Sequence, residues 1–198
     1  MKKRLAVLAT LVFALSVMNP GGVVAKEEEG RQFEFHAGDV FIETVTGHVS
    51  DKSAAANGDR IEIIATGELR TNGRKAEGTG SFVHRTGAGI PLAIGSFKAV
   101  RLMSFTDFGP TTGLPQNLHS GTAVIALRVI AHPVSDLTAT ARFDAILTID
   151  CNLGNAPASV VEGIGFRILN GPAAGLNFNM KVSGETVFVA EQQQQEED

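Results

Sequence analysis

Thr122-Ala123-Val124-Ile125-Ala126-Leu127-Arg128-Val129-Ile130-Ala131 is the stretch that decides the fold class. It is apolar on nearly both faces and interrupted only by Arg128, the pattern of a central strand covered on both sides. Ala145-Ile146-Leu147-Thr148-Ile149 repeats that pattern. Elsewhere the period is two. Polar and apolar residues alternate in Arg60-Ile61-Glu62-Ile63 and Gln32-Phe33-Glu34-Phe35, and more loosely in Glu185-Thr186-Val187-Phe188-Val189. Strands of this second kind keep one wet face and one buried face. Between the runs, Asn57-Gly58, Asn72-Gly73 and Asn170-Gly171 tolerate positive φ and mark tight turns. Gly87-Ala88-Gly89, Gly109-Pro110 and Gly113-Leu114-Pro115 mark loops.

This punctuation predicts strands over roughly 32–36, 39–49, 59–69, 77–85, 92–105, 121–132, 140–150, 160–169 and 176–189. Ser53-Ala54-Ala55-Ala56 reads as one helical turn closed by Asn57-Gly58. Residues 106–120, rich in Gly, Pro and Thr, read as the longest irregular stretch, either a binding loop or a crossover. No amphipathic helix of useful length stands out past the first 25 residues. The expected fold is all-β, a single antiparallel β-barrel or a two-sheet β-sandwich of about eight or nine strands, with residues 32–190 forming one domain.

The two ends differ from the middle. Residues 1–25 combine a basic start (Lys2-Lys3-Arg4), an apolar run from Leu5 to Met18, a break at Asn19-Pro20-Gly21-Gly22, and small residues in Val23-Val24-Ala25. This is the grammar of a signal peptide, and the apolar run is short of the ~20 residues needed to span a bilayer. Cleavage after Ala25 would export the chain to the periplasm or the medium. Residues 26–31, with Glu27-Glu28-Glu29, and residues 191–198 (Glu-Gln-Gln-Gln-Gln-Glu-Glu-Asp) offer too little to bury and are expected to be disordered.

The whole chain of 198 residues has 17 basic and 21 acidic residues; 17 less the three leader bases is 14, a net of −7 after cleavage. That balance argues against a nucleic-acid binder and against docking on anionic lipid. A single thiol, Cys151, rules out an internal disulfide and a thiolate metal cluster. If exposed, Cys151 would allow a disulfide-linked homodimer; beside Ile149, its default is burial as a small hydrophobe.

Motifs for chemistry are sparse. Gly78-Thr79-Gly80 and Gly163-Ile164-Gly165 are GxG fragments that open no helix, so they offer no phosphate cradle. Within strands such glycines mark bulges or close packing against a Phe. The five histidines (His36, His48, His84, His119 and His132) show no metal-ligand spacing, and a site built from His84, His132 and Asp144 would need three strands to converge. No Gly-x-Ser-x-Gly elbow is present. Among carboxylates, Asp150 and Glu162 stand out, because each adjoins an apolar strand where its proton affinity could be altered, although the first expectation for each is a strand-end residue pointing to water. With no Trp or Tyr and 12 Phe, the chain lacks the stacking platforms usual for carbohydrate binding. Its Phe and Ala residues either fill the interior or leave a dry cavity for an apolar ligand.

Gly78-Thr-Gly-Ser-Phe-Val-His84, Gly95-Ser-Phe97, Ala99-Val-Arg-Leu-Met-Ser-Phe105, Leu147-Thr-Ile-Asp-Cys151 and Glu162-Gly163 together resemble an uncharacterised secreted bacterial β-domain family. The resemblance spans about residues 59–189, with Phe97 where relatives often carry Trp. It implies no activity and no cofactor, but marks His84, Arg101, Cys151 and Glu162 as a shared ligand-binding surface. The expected function is an exported, non-catalytic β domain that binds a ligand or protein partner or is associated with the envelope. The alternative is a β-barrel carrier of a small apolar ligand, or an isomerase or cyclase acting on one. A hydrolase using His84 or Glu162 ranks behind both.

Overall fold

A computed structural model describes residues 30–110 and 113–191, so the expected signal peptide over residues 1–25 and nearly all of the acidic tail lie outside the described residues. Ten strands and one short helix follow in order: β1 (Gln32–Ala37), α1 (Val40–Thr46), β2 (Asp51–Ala55), β3 (Arg60–Arg70), β4 (Lys75–Arg85), β5 (Pro91–Pro110), β6 (Leu118–Pro133), β7 (Ala141–Cys151), β8 (Gly163–Ile168), β9 (Asn177–Ser183) and β10 (Thr186–Ala190). The fold is all-β. All ten strands belong to one antiparallel sheet, so the two-sheet alternative is not the one that forms. No helix among the described residues is long and apolar enough to cross a membrane.

The ladder wraps onto itself. From β6 it runs through β5, β4, β3, β2, β9, β8 and β7, and the β6–β7 pairing returns it to β6. A shorter circuit leaves β3 through β1 and β10 and rejoins β6. The length of β3 permits both, because Arg60–Ile63 faces β2 while Ala65–Arg70 faces β1. More strands enclose more space, so the end bounded by the longer circuit is wide and the end bounded by β1 and β10 is narrow. At the narrow end Phe33, Phe105 and Phe188 fill the interior, with ring centroids 4.7 Å (Phe33–Phe105) and 4.9 Å (Phe105–Phe188) apart. His119 closes the cluster edge-on to Phe33 and is held by Asp107 at 2.8 Å.

The three Asn-Gly pairs fall at the turns predicted for them, in the β2–β3, β3–β4 and β8–β9 connections, each Gly at positive φ. The GxG glycines of β4 make room for aromatic rings. Gly80 lies against the ring of Phe97 on β5, and a Cβ on Gly95 would sit 2.5 Å from Phe82 on β4.

Several expected elements are different. The strand expected over 39–49 is the helix α1. Its β-branched residues favour a strand, but Asp39 caps Ile42 N–H at 3.2 Å and Gly47, at φ 80°, closes the C-terminus. The helical turn expected at 53–56 is strand β2, paired with both β3 and β9. Most of the expected 106–120 loop is strand. β5 continues to Pro110 and β6 starts at Leu118, with irregular register near Ala99, Leu102 and Asp107 bending the long β5 around the sheet. The strand expected over 176–189 breaks at Gly184 (φ 115°) into β9 and β10. Finally, β6 and β7 are covered on one face alone. Ile125, Leu127, Val129, Leu147 and Ile149 are buried inside, while Val124, Ala126, Ile130 and Ile146 remain part-exposed outside.

Candidate functional site

The strands that end at the wide mouth alternate small and large apolar residues on their inner face. Phe82 from β4, Ala93 from β5, Ala131 from β6, Phe143 from β7, Phe166 from β8 and Phe178 from β9 converge there. They leave a cavity of about 160 Å³ between them. Ala93 and Ala141 are part-exposed, so the cavity reaches the surface. Proline and alanine from the β8–β9 connection (Pro172 and Ala173) form one lip.

One polar side chain lines this space. His84 ends the inward row of β4, opposite Ile61 and Ala93. Its Nε2 meets Asp59 Oδ2 at 3.1 Å, and its ring stands edge-on to Phe178 with centroids 5.3 Å apart. Asp59 thus fixes the ring plane of a histidine set in an otherwise apolar wall. That arrangement suits an apolar body with one hydrogen-bonding group.

Glu162 and Cys151 lie at the other end of the long strands, separated from His84 along β6 by the stretch from Thr122 to Pro133, roughly 35 Å of extended chain. Glu162 ties two connections together. Oε1 accepts from Thr186 N (2.7 Å) and Thr186 Oγ1 (2.8 Å), while Oε2 accepts from Asn152 N. Burial raises its proton affinity, opposed by these hydrogen bonds. A second hollow, of about 260 Å³, opens beside it under Phe41, Ile42 and Val45 of α1.

Behind Glu162 sits a group that the sequence did not flag. Asp51, the first residue of β2, is fully buried, and neither carboxyl oxygen has a hydrogen-bond partner. Burial, reinforced by the charge of Glu162 and opposed by Lys181, pushes its pKa up to about 8. Lys181 binds Asp150 Oδ2 at 3.0 Å and the Gly163 carbonyl at 2.7 Å, and burial lowers its proton affinity. Cys151 is buried in the same layer, its thiol pushed up to about 12 chiefly by burial. Asp150 is therefore not a strand-end residue facing water: it joins Lys181 to Thr122, whose Oγ1 donates to it at 2.8 Å. This layer fastens connections, and its acids are either sealed in or already hydrogen-bonded.

Arg101 belongs to neither end. It stands exposed on the outer face of β5. The four residues singled out in the sequence therefore occupy three places: the wide mouth (His84), the polar layer (Glu162 and Cys151) and the outer face (Arg101). His132 faces outward beside Ile94 and meets the Ala139 carbonyl at 3.0 Å, so it does not join His84. Among the described residues no three His, Cys, Asp or Glu side chains cluster as metal ligands.

Comparison with protein-family models, with curated proteins and with solved structures finds no match for the chain.

Proposed function

We propose that this domain is an exported, non-catalytic binder of a small apolar molecule, held in the cavity at the wide mouth and oriented by His84. The observation that carries this reading is a cavity of about 160 Å³ whose walls are apolar apart from one imidazole. A dry apolar cavity of about 150 Å³ takes a benzene-sized molecule. The four Phe rings and the small residues between them supply dispersion contacts without any polar group to desolvate. His84 and Glu162 lie at opposite ends of the strands, so they form no acid–base pair, which favours binding over hydrolysis.

Toluene is a suitable probe. Titrating it into the protein while following methyl resonances should shift Ile61, Ala131 and Ile168 and leave Val187 and Leu69 unchanged. Ala93→Phe places a ring in the mouth and should weaken binding at least about tenfold, with an unchanged far-ultraviolet spectrum. Shifts absent from the mouth, or undiminished in the filled variant, would overturn the reading.

A further inference from the structure

The outer face of β5 to β8 combines two features that a free sheet surface rarely keeps together. The first is apolar. Sequence marks β6 and β7 as strands for two-sided burial, yet the helix α1 packs near β1 and no described element covers Val124, Ala126, Ile130 and Ile146 from outside. On β5 the same face continues with Ile94, Val100 and Met103, which are 40%, 49% and 38% exposed. Uncovered aliphatic area of this extent is costly in water and marks contact surfaces.

The second feature is charge. Lys98, Arg101, Arg128, Arg142 and Arg167 are all exposed on these four strands. Lys98 and Arg128 stand directly opposite each other on β5 and β6, a like-charge pair that weakens a sheet. None of the five forms an ion pair within 4 Å among the described residues, nor do Arg60, Arg74 and Lys75 elsewhere, whereas Arg31, Lys52, Arg70, Arg85 and Lys181 all do. The one exposed acid on these strands, Asp144, lies opposite Arg128 and is bound by Asn170 at 3.0 Å. The half-buried Asp107 is engaged with His119 and Arg31, and the half-buried Asp150 with Lys181 and Thr122. The net negative charge hides this face. Seven of the 21 acidic residues (Glu27, Glu28, Glu29, Glu191, Glu196, Glu197 and Asp198) sit in the terminal segments.

We propose that this face docks on an anionic lipid surface, its cations pairing with headgroup phosphates while the aliphatic side chains enter the interfacial layer. Charge complementarity selects this occupant. A second copy meeting the first through the same patch would set five cations against five. Nucleic acid would match the cations, but its charged backbone offers nothing apolar to cover Ile94, Val100 and Met103. Each Lys or Arg at an anionic membrane contributes about 1 kcal/mol, so five unpaired cations suffice for measurable attraction even on a net-negative protein.

Sedimentation of the full chain with vesicles tests this. Phosphatidylcholine vesicles containing phosphatidylglycerol should pellet the protein, with binding that falls as salt rises. Pure phosphatidylcholine should bind far less. The double variant Lys98→Glu/Arg128→Glu changes two exposed side chains and keeps everything else, including the leader. It should lose at least about tenfold in affinity for the anionic vesicles, with an unchanged melting curve. Equal binding to both vesicle types, undiminished binding by the double variant, or tighter binding of duplex DNA than of the vesicles would each overturn the proposal.

Discussion

Asp51 has no donor on either carboxyl oxygen and is fully buried, so the folded chain keeps it protonated at neutral pH. Its folded pKa of about 8 lies above the ordinary aspartate value. The associated stability is therefore fully present below about pH 4 and is lost as pH rises towards 8, by about 1.4 kcal/mol per pH unit. The melting temperature should fall over that window, and Asp51→Asn should flatten the fall; an unchanged slope in the variant would contradict this origin. Glu162, shifted the same way, contributes the residual slope. Cys151, buried and with a thiol pushed up to about 12, should resist maleimide until the chain is unfolded. Labelling of the native protein at neutral pH would show that the thiol is exposed. At this scale the sequence was partly legible. His84 and Glu162 both line hollows, and Asp150 and Glu162 are hydrogen-bonded within the polar layer. Asp51 was hidden because the alanines after Ser53 resemble a helical turn, and nothing local shows that β9 will seal them.

Elements were legible where local and tertiary preferences agree. β1, β3, β4 and β7 begin and end within a few residues of the spans predicted from alternation and Asn-Gly turns. α1 is the opposite case, since Val40, Ile42 and Val45 favour a strand and the helix depends on its two ends and on the burial of Ile42. Asp39→Ala removes the N-cap bond and the 2.6 Å partner of His36, and should cost about 1 kcal/mol in a denaturation midpoint. The β4–β5 pair depends instead on missing side chains. A Cβ on Gly80 would collide with the Phe97 ring and come within 2.6 Å of the Ile64 carbonyl. Gly80→Ala should therefore destabilise by roughly 1–3 kcal/mol, and a neutral result would mean that Phe97 has another rotamer open to it.

At the scale of the whole molecule, sequence predicts an all-β domain but not which strands share a partner. The split pairing of β3 with β1 and β2, and of β6 with β10 and β7, depends on where Gly184 breaks one run into two and where α1 interrupts another. Those breaks make one end wide and the other narrow: the wide end keeps the cavity walled by Phe and Ala, while the hollow under α1 at the other end takes in Glu162 and Thr186. Continuous hydrophobic runs in β6 and β7 promised cover on both sides, and the structure supplies it on one, which is why the outer face is a docking surface in this account. The cavity itself is most directly tested by diffraction from a crystal pressurised with xenon, a probe that enters dry apolar cavities of this size. The expected result is one ordered xenon among Ile61, Phe143 and Phe166, absent in Ala93→Phe. Side chains closed over that space, with no xenon at the mouth, would contradict the binding function.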